Sequence, residues 1–449
     1  MASILPNTPG TGSKIPITQY TAGITELFPN VNRKRIVETA INSRDRIDIM
    51  PVNSSLQGNL SDRYIEFRIK SSEGVFLDMG TLALEMKITF NKRDGSDFKS
   101  PTDKEDQFGI VNGISNTIFK CANVFLNGKL VESTPLYNYI SYIKLLRTTP
   151  PSSLESLGKC GGLKDDYYHT KPNVGEAIIE LYTESTIYKP DIELLQTEGI
   201  EVCFPLVLDV ASLDMYLLDN VDVSIRLELA NQSWYMGAPE GGAHISTNIE
   251  KAVLWVDKVI PHFNAMQALS QSIQKHPIEY IFDKTLLKTY AVGSNENNIV
   301  LDQPFNNVIP EKLTMCFVEN TAFNGTYKRN PLFFPNLDIS QIRVSLNGND
   351  KYTLKNNVRS YYETLRSNNM QEPNMITYPA FLAGRCIYTF NFLTEEDSGN
   401  IPVEMSANLR ISIDFNTAPK FPHIVLLIGD SVGLLSIDKN RHIQCDIRA

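Results

Sequence analysis

The sequence predicts an all-β protein built as two similar sandwich lobes in tandem, with a few short helices. Three observations predict it. Short apolar runs bounded by turn residues follow one another from Asp45 onward. A strand-turn-helix pattern repeats at a fixed offset along the chain. The length of 449 residues exceeds what one β-sandwich core fills and suits two.

The strand reading rests on period-two alternation. Tyr64 to Ile69 alternates its faces, and in Leu82 to Phe90 the apolar Leu82, Leu84, Met86, Ile88 and Phe90 are spaced by mostly polar residues, so one face lies on a core. Helices are few. Leu136 to Arg147 places Leu136, Tyr139, Ile140, Ile143 and Leu146 on one stripe, and Phe263 to Lys275 is a second candidate that reads as a connector between the lobes.

The repeat fixes the plan. Val124-Phe125-Leu126-Asn127-Gly128 recurs as Val344-Ser345-Leu346-Asn347-Gly348, an offset of 220 residues. In each copy an apolar strand runs into Asn-Gly, the pair that a type I′ hairpin turn favours because both central residues need φ > 0. At the same offset the first helix meets Val358 to Leu365, with Tyr142 over Tyr362 and Leu145 over Leu365. Later strands match in texture, Asn220 to Leu229 and Asn408 to Phe415. Matching Asn220 to Asn408 leaves roughly 30 extra residues in the first lobe. That polar, Pro/Gly-rich insertion, within about 148–205, is expected to stand out as a loop or tower. The organisation is therefore an N-terminal arm over 1–44, a first lobe over 45–262, a linker helix over 263–278 and a second lobe over 279–449.

Composition excludes several function classes. Net charge is −9 with 42 Lys and Arg dispersed among 51 Asp and Glu, which argues against extended or sequence-specific nucleic-acid binding. Arg33-Lys34-Arg35 reads as a solvated turn in the arm. Six scattered cysteines, Cys121, Cys160, Cys203, Cys316, Cys386 and Cys445, contain no C-x-x-C pair, so reduced thiols and no zinc site are expected. No secretory leader or apolar membrane span is legible, which points to folding inside the cell.

Site-like features resolve to packing or surface. Gly429-Asp430-Ser431-Val432-Gly433 satisfies G-x-S-x-G after an apolar run, yet a hydrolase elbow needs a following helix. Here Leu434 to Ile437 reads as another strand, so a β-turn between two strands is expected. His169, His244, His262, His276 and His423 are isolated, and His442 lies downstream of Ser431 near the end of the sequence. Asp165-Asp166 and Glu395-Glu396-Asp397 lack the order of a calcium loop. Tyr167-Tyr168 and Trp234-Tyr235-Met236 read as packing at loop bases. No catalytic, cofactor-binding or metal-binding residue is assigned, and no cofactor is expected.

Two tandem sandwiches, each with a strand, an Asn-Gly turn, a strand and a helix, resemble the double jelly-roll major capsid proteins of the adenovirus and tectivirus lineage. The likeness is greatest to the hexon-like capsid proteins of Polinton or Maverick elements and adintoviruses. It is carried by Val124 to Val131 with the Tyr-rich helix, Leu213 to Asn220 with the strand it enters, Val318 to Pro331, and Ile437 to Arg441. It spans residue 45 to the end.

The resemblance implies two tandem eight-stranded antiparallel jelly-roll sandwiches. It also implies a homotrimer whose six jelly rolls give a pseudo-hexagonal capsomer tiling an icosahedral shell. Neighbouring capsomers, penton proteins and minor capsid proteins would be the partners. The location would be the virion capsid, assembled inside the host cell, with no enzymatic activity. A carbohydrate-binding or carbohydrate-processing β-sandwich is the alternative, because fold alone does not fix function.

Overall fold

Alternating residues dictate the strands. In the strand Phe76–Lys92, Leu82, Leu84, Met86, Ile88 and Phe90 are all 3% exposed or less. Each such burial contributes about 1.5–3 kcal/mol. The structure, a computed structural model, describes residues 40–53, 64–98, 106, 108–163, 195–238, 242–306, 308–368, 374–392 and 407–447.

The first lobe holds β1 (Ile41–Ile49), β2 (Tyr64–Ile69), β3 (Phe76–Lys92), β4 (Phe119–Leu126), β5 (Lys129–Pro135), β6 (Ile200–Pro205), β7 (Val223–Leu229) and β8 (Ile245–Pro261). The second holds β9 (Ile278–Val292), β10 (Asn298–Asp302), β11 (Lys312–Glu319), β12 (Ile339–Leu346), β13 (Asn349–Leu354), β14 (Ile387–Asn391), β15 (Leu409–Phe415) and β16 (His423–Ile437). A further strand, β17 (Ile443–Ile447), pairs with the end of β16. The longer helices are α1 (Tyr137–Thr148), α2 (Phe263–Ile273) between the lobes, α3 (Asn357–Ser367) and α4 (Tyr378–Ala383).

The two lobes share one wiring. In the first, the sheets run β1-β8-β3-β6 and β2-β7-β4-β5; in the second, β9-β16-β11-β14 and β10-β15-β12-β13. Adding eight to each strand number of the first lobe gives the second. Every pairing within these sheets is antiparallel, and apart from the hairpins β4-β5 and β12-β13 consecutive strands cross between sheets, so each lobe is a jelly roll.

The repeat survives in detail. Asn127 and Gly128 have φ of 47° and 78°, Asn347 and Gly348 of 50° and 82°, as a type I′ turn demands. One residue bulges at the same place in both hairpins, Val131 and Lys351. Each turn asparagine also clamps the strand beyond. The Asn127 N–H donates to the Asp222 carbonyl while its Oδ1 accepts from the Asp222 N–H, both at 2.8 Å. Asn347 repeats this with Asn408, at 2.9 and 2.8 Å. The partner of Asn408 is thus Asp222 rather than Asn220, two residues along from the match expected from texture. The strands begin at Val223 and Leu409 for that reason.

Two further differences concern segment ends. The strand β1 starts at Ile41, inside the stretch read as an arm. Within the expected insertion, residues 151–158 wind into two short helical turns and 200–205 form β6, while 164–194 lie outside the described residues. The same holds for Arg33-Lys34-Arg35, Asp165 to Tyr168, His169 and Glu395 to Asp397.

Candidate functional site

The helix α1 is buried on nearly all sides, its polar Asn138 and Ser141 included. Tyr137, Tyr139, Ile140, Tyr142, Ile143 and Leu146 are each 2% exposed or less, so the helix is covered on more than one side. Its own lobe covers one side and the second lobe the other. Tyr139 stacks on Phe323 of the second lobe, with centroids 5.7 Å apart, and meets Trp234 edge-on at 5.3 Å. One turn further, Tyr142 packs against Phe334 at 6.2 Å. At the C-terminal end the Leu146 carbonyl accepts from the Met375 N–H at 3.2 Å.

Charged side chains finish the contact. The Arg147 guanidinium donates at 2.9 Å to Thr314 Oγ1, Asp430 Oδ2 and Asn368 Oδ1, all in the second lobe. Lys144 Nζ reaches Asp209 Oδ1 at 3.1 Å and Thr285 Oγ1 at 2.6 Å. Burial opposes the Lys144 charge, but Asp209 and Asp430 outweigh it and hold the ammonium pKa above its ordinary value.

A loop of the first lobe then lines the outer edge of β9. The N–H of Thr285 donates to Asp209 Oδ2 at 2.8 Å, that of Asp283 to Ser212 Oγ at 2.6 Å, and that of Ile281 to Asp214 Oδ1 at 3.2 Å. These donors would otherwise be an open sheet edge. On the other side β17 reaches back: Lys129 Nζ donates to the Ile443 carbonyl at 2.9 Å, and Arg441 pairs with Asp219.

Beneath this seam lies Glu132, which is 1% exposed. Its carboxylate accepts from the Asp209 N–H at 3.0 Å, the Val210 N–H at 2.9 Å and Thr134 Oγ1 at 2.9 Å. Burial, and then the nearby Asp209 charge, push its pKa up to about 7. The arrangement joins two lobes through oriented donors and acceptors. It is a docking surface.

The hydrolase-like motif is absorbed by packing. Gly429 to Gly433 lies inside β16, a continuous 15-residue strand, so neither an elbow nor the expected β-turn is formed. A Cβ at Gly429 would stand 2.8 Å from Pro310, and one at Gly433 2.7 Å from the Phe282 ring, which explains both glycines. Ser431 is buried at 8% exposure. His442 lies exposed beyond the strand, its Nδ1 3.3 Å from the Asp438 carboxylate.

The remaining candidates are dispersed. His423 is buried with Nδ1 2.7 Å from the Phe421 carbonyl, and burial lowers its pKa. His244, His262 and His276 are exposed. Trp234, Tyr235 and Met236 are buried packing, as read from sequence. None of the six cysteines is in a disulfide, and burial pushes the Cys386 thiol up to about 12. Among the described residues no three His, Cys, Asp or Glu side chains group as metal ligands. What sequence reasoning missed is the seam itself. The visible signal was Lys144 and Arg147, two cations on a helix rich in Tyr, Ile and Leu.

No protein-family model matches the sequence, and a search of curated proteins finds no match. Solved structures do match. A chain of the Sputnik virophage, from its 3.5 Å cryo-EM structure, superposes with TM-score 0.59 at 13% identity over 100% of this chain and 94% of its own. The chain has the double jelly-roll fold of viral major capsid proteins. The mavirus major capsid protein aligns with TM-score 0.52 at 13% identity, covering 99% of this chain and 97% of its own. The Faustovirus major capsid protein aligns with TM-score 0.55 at 9% identity, covering 90% and 92%. At these identities the likeness is one of fold.

Proposed function

We propose that the chain is a viral, or virus-like element, major capsid protein and that it performs no chemistry. The single observation that carries this reading is the fold match over the whole length to the Sputnik, mavirus and Faustovirus proteins, two of which are named as major capsid proteins. The finer reading is a homotrimer whose six jelly rolls outline a pseudo-hexagonal capsomer. Such capsomers would tile an icosahedral shell and contact penton and minor capsid proteins in a virion assembled inside the host cell. The kinship to Polinton and adintovirus capsid proteins stands on the sequence segments Val124 to Val131, Leu213 to Asn220, Val318 to Pro331 and Ile437 to Arg441. Rigid lobes suit the role, because α1 and the 209–216 loop lock the two jelly rolls into one block.

Light scattering and negative-stain microscopy of the purified chain test the proposal. The expected particle has three times the 50.5 kDa chain mass and a hexagonal outline, with hollow shells at high concentration. A monomer that binds or cleaves saccharides would overturn it in favour of the carbohydrate alternative.

A further inference from the structure

Of the six cysteines, Cys160 and Cys203 alone are exposed, and the fold brings their two segments together. Cys316 and Cys386 are buried, and Cys121 and Cys445 are half-buried. Cys203 lies on β6, the end strand of the sheet β1-β8-β3-β6, so among the described residues one long edge of that strand has no neighbouring strand. Cys160 ends the helical turns that follow α1.

The chain just after Cys160 lies along β6. A Cβ at Gly161 would stand 2.6 Å from the Phe204 ring, and one at Gly162 would stand 3.6 Å from Ile200 and 3.7 Å from Val202. Glycine at 161 therefore permits an approach that a side chain would block. Hydrogen bonds pin the chain there. The Gly161 carbonyl accepts from the Ser115 N–H at 3.3 Å, and the Gly162 carbonyl from the Gly113 N–H at 3.0 Å. Asn116, in the same 113–117 turn, donates from Nδ2 to the Pro205 carbonyl at 3.1 Å, which ties that turn to the end of β6.

Strand alternation sends Ile200, Val202 and Phe204 to one face and Cys203 to the other, where Glu85 of β3 stands directly across from it. Cys160, one residue before the contact with Phe204, is open to solvent and near enough for the two thiols to sense each other. Burial first, then Glu85 and Cys160, hold the Cys203 thiol above its ordinary pKa. Two exposed thiols on touching segments can close on each other, which a lone cysteine cannot.

We propose that Cys160 and Cys203 are a disulfide-forming pair, reduced inside the cell and oxidised once the particle has left it, which staples the foot of the 161–202 segment to β6. The timing rests on the reading of the chain as a capsid subunit. The oxidant is a small-molecule disulfide such as oxidised glutathione. The Cys160 thiolate attacks one of its sulfurs, forming a mixed disulfide and releasing one glutathione thiolate. The Cys203 thiolate then attacks the Cys160 sulfur and displaces the second glutathione. In sum, two cysteine thiols lose two electrons and two protons, and one oxidised glutathione becomes two reduced ones. Cys160 goes first because it is open and Cys203 is the weaker acid; once the mixed disulfide stands beside it, Cys203 attacks within the same chain. In a reducing interior the reverse exchange keeps the pair open.

The test incubates the folded full chain with oxidised glutathione and removes the excess. Its intact mass is expected to fall by two hydrogens, with no glutathione retained. Digestion without reductant should yield the Cys160 and Cys203 peptides joined, one link per chain. A chain nicked by protease within 161–202 should stay in one piece on a denaturing gel until reductant is added. Cys160→Ser and Cys203→Ser should each abolish the link and leave a single glutathione on the remaining exposed thiol, with circular dichroism unchanged. A folded chain that holds glutathione on both cysteines without closing overturns the pair. So does a link from either cysteine to a different one or to another chain. None of these results touches the capsid reading, which the mass and outline of the particle decide.

Discussion

Replacing Arg147 with alanine should weaken the block formed by the two lobes more than any exposed charge substitution. The side chain is 9% exposed and its guanidinium makes hydrogen bonds of 2.9 Å to Asp430, Thr314 and Asn368. Removing one partner of a buried pair costs about 3–5 kcal/mol, because the other charge stays behind without its counterion. Asp430 is 25% exposed, so water recovers part of that cost and the lower half of the range is expected. For a lobe of this size, that loss corresponds to a fall in Tm of roughly 6–15 °C. Urea unfolding and calorimetry at one fixed protein concentration would measure it. Arg147→Lys should fall between, since it keeps the charge and loses the fork that reaches several acceptors at once. A loss below about 1 kcal/mol for Arg147→Ala would refute the reasoning and make the pair a solvent-screened one.

Glu132 has a folded pKa of about 7 against an ordinary 4.5, so its contribution to stability is present below pH 4.5 and lost as pH rises through about 7. Unfolding free energies should therefore drop by up to about 3 kcal/mol between pH 5 and 8, and Glu132→Gln should flatten that difference. Asn127→Ala should cost about 2–3 kcal/mol, from the lost bond to Asp222 and from strain at φ 47°, while Asn127→Gly loses the bond alone, about 1 kcal/mol. The Asn347 variants should behave alike, since that turn makes the same bond to Asn408. Gly433→Ala should cost about 1–3 kcal/mol by crowding Phe282, whereas Ser431→Ala should be nearly neutral and serine-directed phosphonates should not label the chain.

The fold was legible because a period-two pattern and an Asn-Gly turn depend on residues close in sequence. Leu82 to Phe90 and Asn127-Gly128 declare their structure locally. What was not legible depends on distant partners. Nothing near Glu132 in sequence foretells that the N–H groups of Asp209 and Val210 will converge on it. Asp222 rather than Asn220 matches Asn408 because the choice is made by the turn asparagine of another strand. Gly429 to Gly433 misled in the same way, since its glycines answer to Pro310 and Phe282 rather than to a nucleophile. The comparison of Tyr142 with Tyr362 needed both: the repeat paired them, and only the folded chain shows one hidden and the other open.

The back-reaching strand β17 also sets an order of events during synthesis. Its contact to Lys129, and that of Arg441 just before it to Asn127, close over a hairpin translated 314 residues earlier. At 5–20 residues per second the hairpin waits roughly 15–60 s for that cover. In this interval the tethered second lobe competes with lobes of other nascent chains, and a short linker gives it an effective concentration of order millimolar. Polysomes crowded with neighbouring copies would narrow that advantage, so lobe exchange between chains is the characteristic error this architecture must outrun.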